Sequence, residues 1–187
     1  SYYGFQMVFT PNILVGKDDR VFVIAEGATF KEIQEQLHKD LIVQDLVSFS
    51  FMAKMMNYDT QIKPGRYILS SGMTNREALN MLRGGKQVPV RVSFNNVRLV
   101  PDLSEKITRN LSITPDEFSA ALIAFAMNNK YGFNEDNILT MFIPNTYEFY
   151  FNAAADEVVQ RFQYEHQQFW NEAKQAALKA KFNIDQN

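Results

Sequence analysis

The helix starts are the feature that most limits what this chain can fold into. Thr29-Phe30-Lys31-Glu32 and Thr74-Asn75-Arg76-Glu77 both have capping-box spacing. In that arrangement a threonine hydroxyl accepts from the third helical amide and the glutamate reaches back to the threonine amide. Thr114-Pro115-Asp116-Glu117 is a third start, with a cap, a proline at the first helical position and acids in the first turn. Each start fixes a phase, and the apolar residues after it must then share one face. Phe30, Ile33, Leu37 and Leu41 do so, as do Phe118, Leu122, Phe125 and Ala126. The helix opened at Thr74 should stop at Gly84-Gly85, which suits a C-terminal cap.

Strands fill the intervals. Val21-Phe22-Val23-Ile24 is a β-branched run ending in the Glu26-Gly27 turn, and Arg66-Tyr67-Ile68-Leu69 leaves the Lys63-Pro64-Gly65 turn. With a second helix over about 44–56, the order is strand, helix, helix, strand, helix. Alternation returns over 88–94, and Asp102 is expected to cap a helix toward Glu105 with Leu103, Ile107 and Leu111 inward. Residues 128–136 form a polar loop. One long helix follows over 156–181, with Val159, Phe162, His166, Phe169, Ala173, Ala176 and Ala180 as its stripe. Strand 21–24 with helix 29–41 is weakly echoed by strand 90–94 with helix 102–111. The expected fold is α+β, with residues 1–20 as an N-terminal extension.

Composition excludes several functions. The chain has 187 residues, 46% of them hydrophobic, so it can bury a core in one domain or two small ones. Its formal charge of -2, with both signs interspersed, provides no basic stripe for nucleic acid. Without cysteine there is no disulfide, thiolate metal site or thiol nucleophile. His38 and His166 are far apart and poorly accompanied by acids, so no metal is expected. No run nears the roughly 18–20 apolar residues of a membrane span. The opening residues 1–11 lack the basic stretch of an export signal. Gly84-Gly85-Lys86 lacks the rest of a phosphate-binding loop.

Three motifs in order carry a family resemblance: Ala25-Glu26-Gly27-Ala28-Thr29, then Lys63-Pro64-Gly65-Arg66-Tyr67, then Gly72-Met73-Thr74. With Met141-Phe142-Ile143-Pro144-Asn145-Thr146-Tyr147-Glu148-Phe149, the chain resembles the YceG/MltG-like family of endolytic murein transglycosylases over about residues 21–182. The resemblance implies a LysM-like βααβ glycan-binding module over 21–87. The first part of a mixed α/β catalytic domain would follow over 88–187, left incomplete. It also implies cleavage of peptidoglycan glycan strands without water. A glutamate protonates the glycosidic oxygen, and the muramic acid's own hydroxyl attacks to close an anhydro ring. One carboxyl group serves as acid and then base, unlike the pair used in glycoside hydrolysis. The implied partners are peptidoglycan strands and cell-wall synthesis proteins, with no cofactor. The implied location is the periplasmic face of the inner membrane, through an anchor outside this chain.

The resemblance also nominates residues. Asn145, Thr146 and Tyr147 would hydrogen-bond sugar hydroxyls and acetamido groups, although a turn satisfying its own backbone fits the same residues. Tyr67 would stack on a sugar face, or lie in the core. The family's acid five positions before the proline corresponds to Leu139, which cannot transfer a proton. Glu148 is then the candidate acid within the chain, if Phe149, Tyr150 and Phe151 give it an apolar pocket. A carboxylate beyond Asn187, or a glycan-binding scaffold without chemistry, are the other readings. A pyridoxal-phosphate aminodeoxychorismate lyase would need a Schiff-base lysine and a phosphate cradle, and no such pair stands out. His166 is expected to be partly buried, and Phe49, Phe51, Met52, Met55 and Met56 are expected to be core.

Overall fold

A computed structural model describes residue 4, residues 8–95 and residues 97–184. The fold is α+β, and the chain divides into two compact units. The first runs up to Val90 and includes Tyr150–Asn152; the second comprises Arg91–Phe149 and the chain from Ala153.

In the first unit β1 (Arg20–Ile24) pairs antiparallel with β2 (Gly65–Leu69), Arg20 opposite Leu69 and Ile24 opposite Gly65. Strand alternation sends Phe22, Ile24, Tyr67 and Leu69 inward. Between the strands lie α1 (Phe30–Lys39), α2 (Leu46–Met55) and a 3-10 turn (Tyr58–Thr60); α3 (Asn75–Gly84) follows. Both expected capping boxes form. Glu32 Oε2 accepts from the Thr29 amide at 2.7 Å, and Glu77 Oε2 from the Thr74 amide at 2.8 Å. Those bonds from the cap backbone, then the cap hydroxyl, hold both carboxyls below the ordinary range. Gly85 ends α3 in the left-handed region at φ +68°, where a side chain is disfavoured. Ile33, Leu37, Phe49, Leu79 and Leu82 close the core, each stabilising by roughly 1.5–3 kcal/mol.

Two expectations for this unit need correction. Residues 1–20 are not all an extension, because Ile13 and Leu14 are fully buried. The Asn12 and Ile13 amides both donate to Met73 O at 3.0 Å, and Leu14 N donates to Ile42 O at 2.7 Å. The Asn12 side chain is buried and donates to Asp45 O (2.9 Å) and Asn75 Oδ1 (2.7 Å), while Asp45 N donates to its Oδ1 (2.7 Å). The segment is a strap that ties α2 to α3. The α2 cluster also splits: Phe49 and Met52 are buried, but Phe51 and Met55 are 53% and 65% exposed. A helix against one core can bury only one side of itself.

The second unit repeats the element order. Strands β3 (Val90–Ser93) and β4 (Thr146–Phe149) form a two-stranded sheet. Between them come α4 (Val100–Thr108), α5 (Pro115–Met127) and a 3-10 turn (Ile138–Met141), and α6 (Ala155–Ile184) follows. From β1 and from β3 onward both units therefore read strand, helix, helix, 3-10 turn, strand, helix, so the echo runs through six elements. Helix α5 has the third capping box, Glu117 Oε2 accepting from the Thr114 amide at 2.7 Å. Asp102 does not cap α4. That helix starts at Val100 with Pro101 in its first turn, and Leu99 at the cap supplies no side-chain bond. Proline pre-sets the helical φ and advances the start past the acid. Among the described residues the buried side chains of the long helix lie near its beginning, at Val158, Val159, Phe162 and Gln163. Phe169 (46%), Trp170 (49%) and Leu178 (55%) are exposed, so the expected stripe ends early. Among the described residues no helix is long and apolar enough to cross a membrane.

Candidate functional site

The strand β4 sorts the nominated residues by alternation: Tyr147 and Phe149 face the core, Thr146 and Glu148 face out. Tyr147 is therefore no sugar contact. Its ring stacks on Phe94 at 5.9 Å and meets Phe162 edge-on at 4.8 Å, and burial pushes its phenol pKa up. Its hydroxyl donates back to Ile143 O, four residues earlier. Tyr67, fully enclosed, does the same to Lys63 O at 2.9 Å, and burial again pushes the phenol up. Lys63-Pro64-Gly65-Arg66-Tyr67 and Ile143-Pro144-Asn145-Thr146-Tyr147 are thus the same device in both units. Proline holds the preceding residue extended, and a tyrosine locks that residue's carbonyl. The glycine in the first copy has its own cause. Gly65 lies at φ +151°, and a Cβ there would meet Gln87 Oε1 at 2.6 Å. Neither ring offers a face to a ligand, which corrects both nominations.

Asn145 and Thr146 remain exposed. Asn145 Oδ1 accepts from the Thr146 amide at 2.7 Å, holding the turn, as the structural reading anticipated. Among the described residues the Asn145 side-chain N–H donors and the Thr146 hydroxyl have no partner.

Glu148 lacks the enclosure that a proton-holding acid requires. Its side chain is 54% exposed and lies 3.3 Å from Arg91 Nε on the outer face of the sheet. Phe149 points the opposite way and Tyr150 is exposed, so the expected apolar pocket does not form. Among the described residues no aspartate or glutamate is buried.

Leu139 stands in a more informative place. On the 3-10 turn it lines a cavity of about 350 Å³, with Phe94, Leu103 and Phe142 as apolar neighbours and Asn95, Arg98 and Pro144 also lining it. Asn95 and Arg98 are exposed, and among the described residues no carboxylate pairs with Arg98. Sequence reasoning missed both. Their only signal is a polar break between a strand and the helix that starts at Val100, which marks a loop without assigning it a task. The arrangement can hold a ring with one apolar face: a hydrocarbon wall for C–H groups, and amide and guanidinium donors for oxygens.

His38 is exposed on α1. His166 is partly buried, as expected, and its Nε2 accepts from Trp170 Nε1 at 2.9 Å; burial lowers its pKa. Among the described residues no three His, Asp or Glu side chains converge to hold a metal.

A family model described as the YceG-like family matches residues 22–186. Among solved structures, the crystal structure of a YceG-like protein from Listeria monocytogenes is similar at 19% identity and a TM-score of 0.43. The match covers 88% of this chain and 59% of that one, so this chain spans less than two thirds of that relative. No curated protein matches the chain.

Proposed function

The chain belongs to the YceG-like family, and from that premise we propose that it is the glycan-engaging part of an endolytic lytic transglycosylase of peptidoglycan. The Leu139 recess carries this reading. It sets an apolar wall beside Asn95 and Arg98, and Pro144 on its lining leads into the exposed Asn145 and Thr146. A pyranose presents the matching surfaces, a C–H face and a rim of hydroxyls.

On this reading these residues bind and orient the strand. The proton comes from a carboxylate outside them, since Leu139 is a hydrocarbon and Glu148 is ion-paired on the outer face. That acid protonates the glycosidic oxygen as the C–O bond breaks. It then takes the proton of the muramic acid hydroxyl that closes the anhydro ring, so one group completes the cycle. The protein would work at the periplasmic face of the inner membrane, beside the synthesis machinery whose strands it ends.

A second reading, glycan binding without cleavage, is favoured by Leu139. Incubation with purified murein sacculi separates the two. We expect this chain to co-sediment with sacculi and release no anhydro-muropeptides, and the full-length protein to release them. Binding without anhydro ends from the full-length protein would establish the second reading. Absence of binding by both would end the glycan account.

A further inference from the structure

Resting on the peptidoglycan reading, we infer that the second unit has another sugar subsite, between the end of α5 and the first half of α6, suited to an acetamido sugar bearing a carboxylate. A cavity of about 650 Å³ opens there, lined by Phe125, Tyr131, Lys130 and four carboxamide residues, with no acid among them.

The loop that shapes it is clamped. Asn129 Nδ2 donates to Phe125 O at 2.8 Å and to Phe133 O at 2.7 Å, while its Oδ1 accepts from the amides of Tyr131 (3.0 Å) and Phe133 (3.2 Å). Asn129 is therefore committed to the loop, and it presents Tyr131 in a fixed place. The Tyr131 ring is 44% exposed and near-parallel to Phe125, at 6.3 Å and 18°. An aromatic platform braced from behind gives a ligand contact area at little entropic cost.

The polar groups complement that platform. Among the described residues, the carboxamides of Asn128 and Gln160 make no hydrogen bond. Gln163 donates to Gln167 Oε1 at 3.3 Å, which leaves its own oxygen to accept. Carboxamides match an acetamido group, because each has one planar donor and one planar acceptor. The Lys130 ammonium lies 5.5 Å from the Tyr131 ring centre, and no carboxylate pairs with it among the described residues. Lying over the ring, it provides the counter-charge for a sugar carboxylate brought to that face. A neutral acetamido sugar would meet the ring and the amides but not the lysine.

The test titrates this chain with two soluble probes: uncrosslinked murein glycan strands, which carry muramic carboxylates, and a neutral N-acetylglucosamine tetramer. Tyr131→Ala and Gln160→Ala should each weaken strand binding about tenfold or more at an unchanged melting temperature. Lys130→Gln should weaken binding of the strands and leave the neutral tetramer unaffected. If the unmodified chain binds strands and all three variants bind them equally well, the subsite does not exist, while the peptidoglycan reading survives. If the unmodified chain binds neither probe, both fall together.

Discussion

The two units run through the same six elements but close differently. In the first, the last helix is ten residues long, buries Ala78, Leu79 and Leu82, and stops at Gly85. A polar hub of Asn12, Ser48 and Asn75 joins its strap to two helices. In the second, the last helix runs for 30 residues, and the core is a knot of rings around Phe162, with Phe142 at 4.9 Å and Phe149 at 5.4 Å. Both cavities described above lie in this unit. The comparison teaches that one topology can be closed by a capped helix and a strap. The same topology is held in the second unit by an aromatic knot, and two recesses there are lined by carboxamides and a cation that, among the described residues, has no carboxylate partner.

The largest test of that contrast is Phe162→Ala. Removing the centre of the knot should destabilise the second unit by about 3–5 kcal/mol. Native-state hydrogen exchange should show β4 and α5 amides losing protection while β1 and β2 amides keep theirs. Equal loss in both units would mean that they do not close independently. Next is Asn12→Ala, which removes the buried Asn12 side chain's bonds to Asp45 and Asn75. We expect a loss of about 1–3 kcal/mol in urea unfolding, confined to the first unit.

A smaller effect separates two buried tyrosines. Tyr67→Phe removes the bond to Lys63 O and should cost about 1 kcal/mol. Among the described residues the buried Tyr58 hydroxyl has no partner, and burial together with nearby Tyr67 pushes its phenol pKa far up. Tyr58→Phe should therefore be neutral or slightly stabilising in thermal melts; a loss equal to that of Tyr67→Phe would contradict the difference.

The smallest effect is electrostatic. His166 has its folded pKa lowered from 6.5 by burial, so the neutral ring is favoured in the fold. Its contribution is fully present above the unfolded value and is lost as pH falls from there through the folded value. Trp170, the single tryptophan, donates to that ring. Its emission should titrate with a midpoint below 6.5, and His166→Gln should abolish the step.

Locally encoded features were legible in the sequence. Thr29, Thr74 and Thr114 with their glutamates, and Gly85, form as read, because cap and partner are within three or four residues. What depends on distant partners was not legible. Ile13 and Leu14 are core only because Met73 and Ile42 supply their backbone partners. Tyr67 as a sugar platform and Tyr147 as a sugar hydrogen-bonder both fail because strand phase turns them inward. Glu148 falls on the outer face by the same alternation, and Arg98 becomes notable only once Leu139 and Phe94 wall a recess beside it. The long helix was read correctly as a helix, but its pattern cannot show where its neighbours end.

Co-sedimentation of recess variants with murein sacculi tests glycan engagement by the second unit most directly. Replacing Asn95 and Arg98 together by alanine should leave the melting temperature unchanged and release most of the bound chain into the supernatant. A double variant that sediments as fully as the unmodified chain would contradict it.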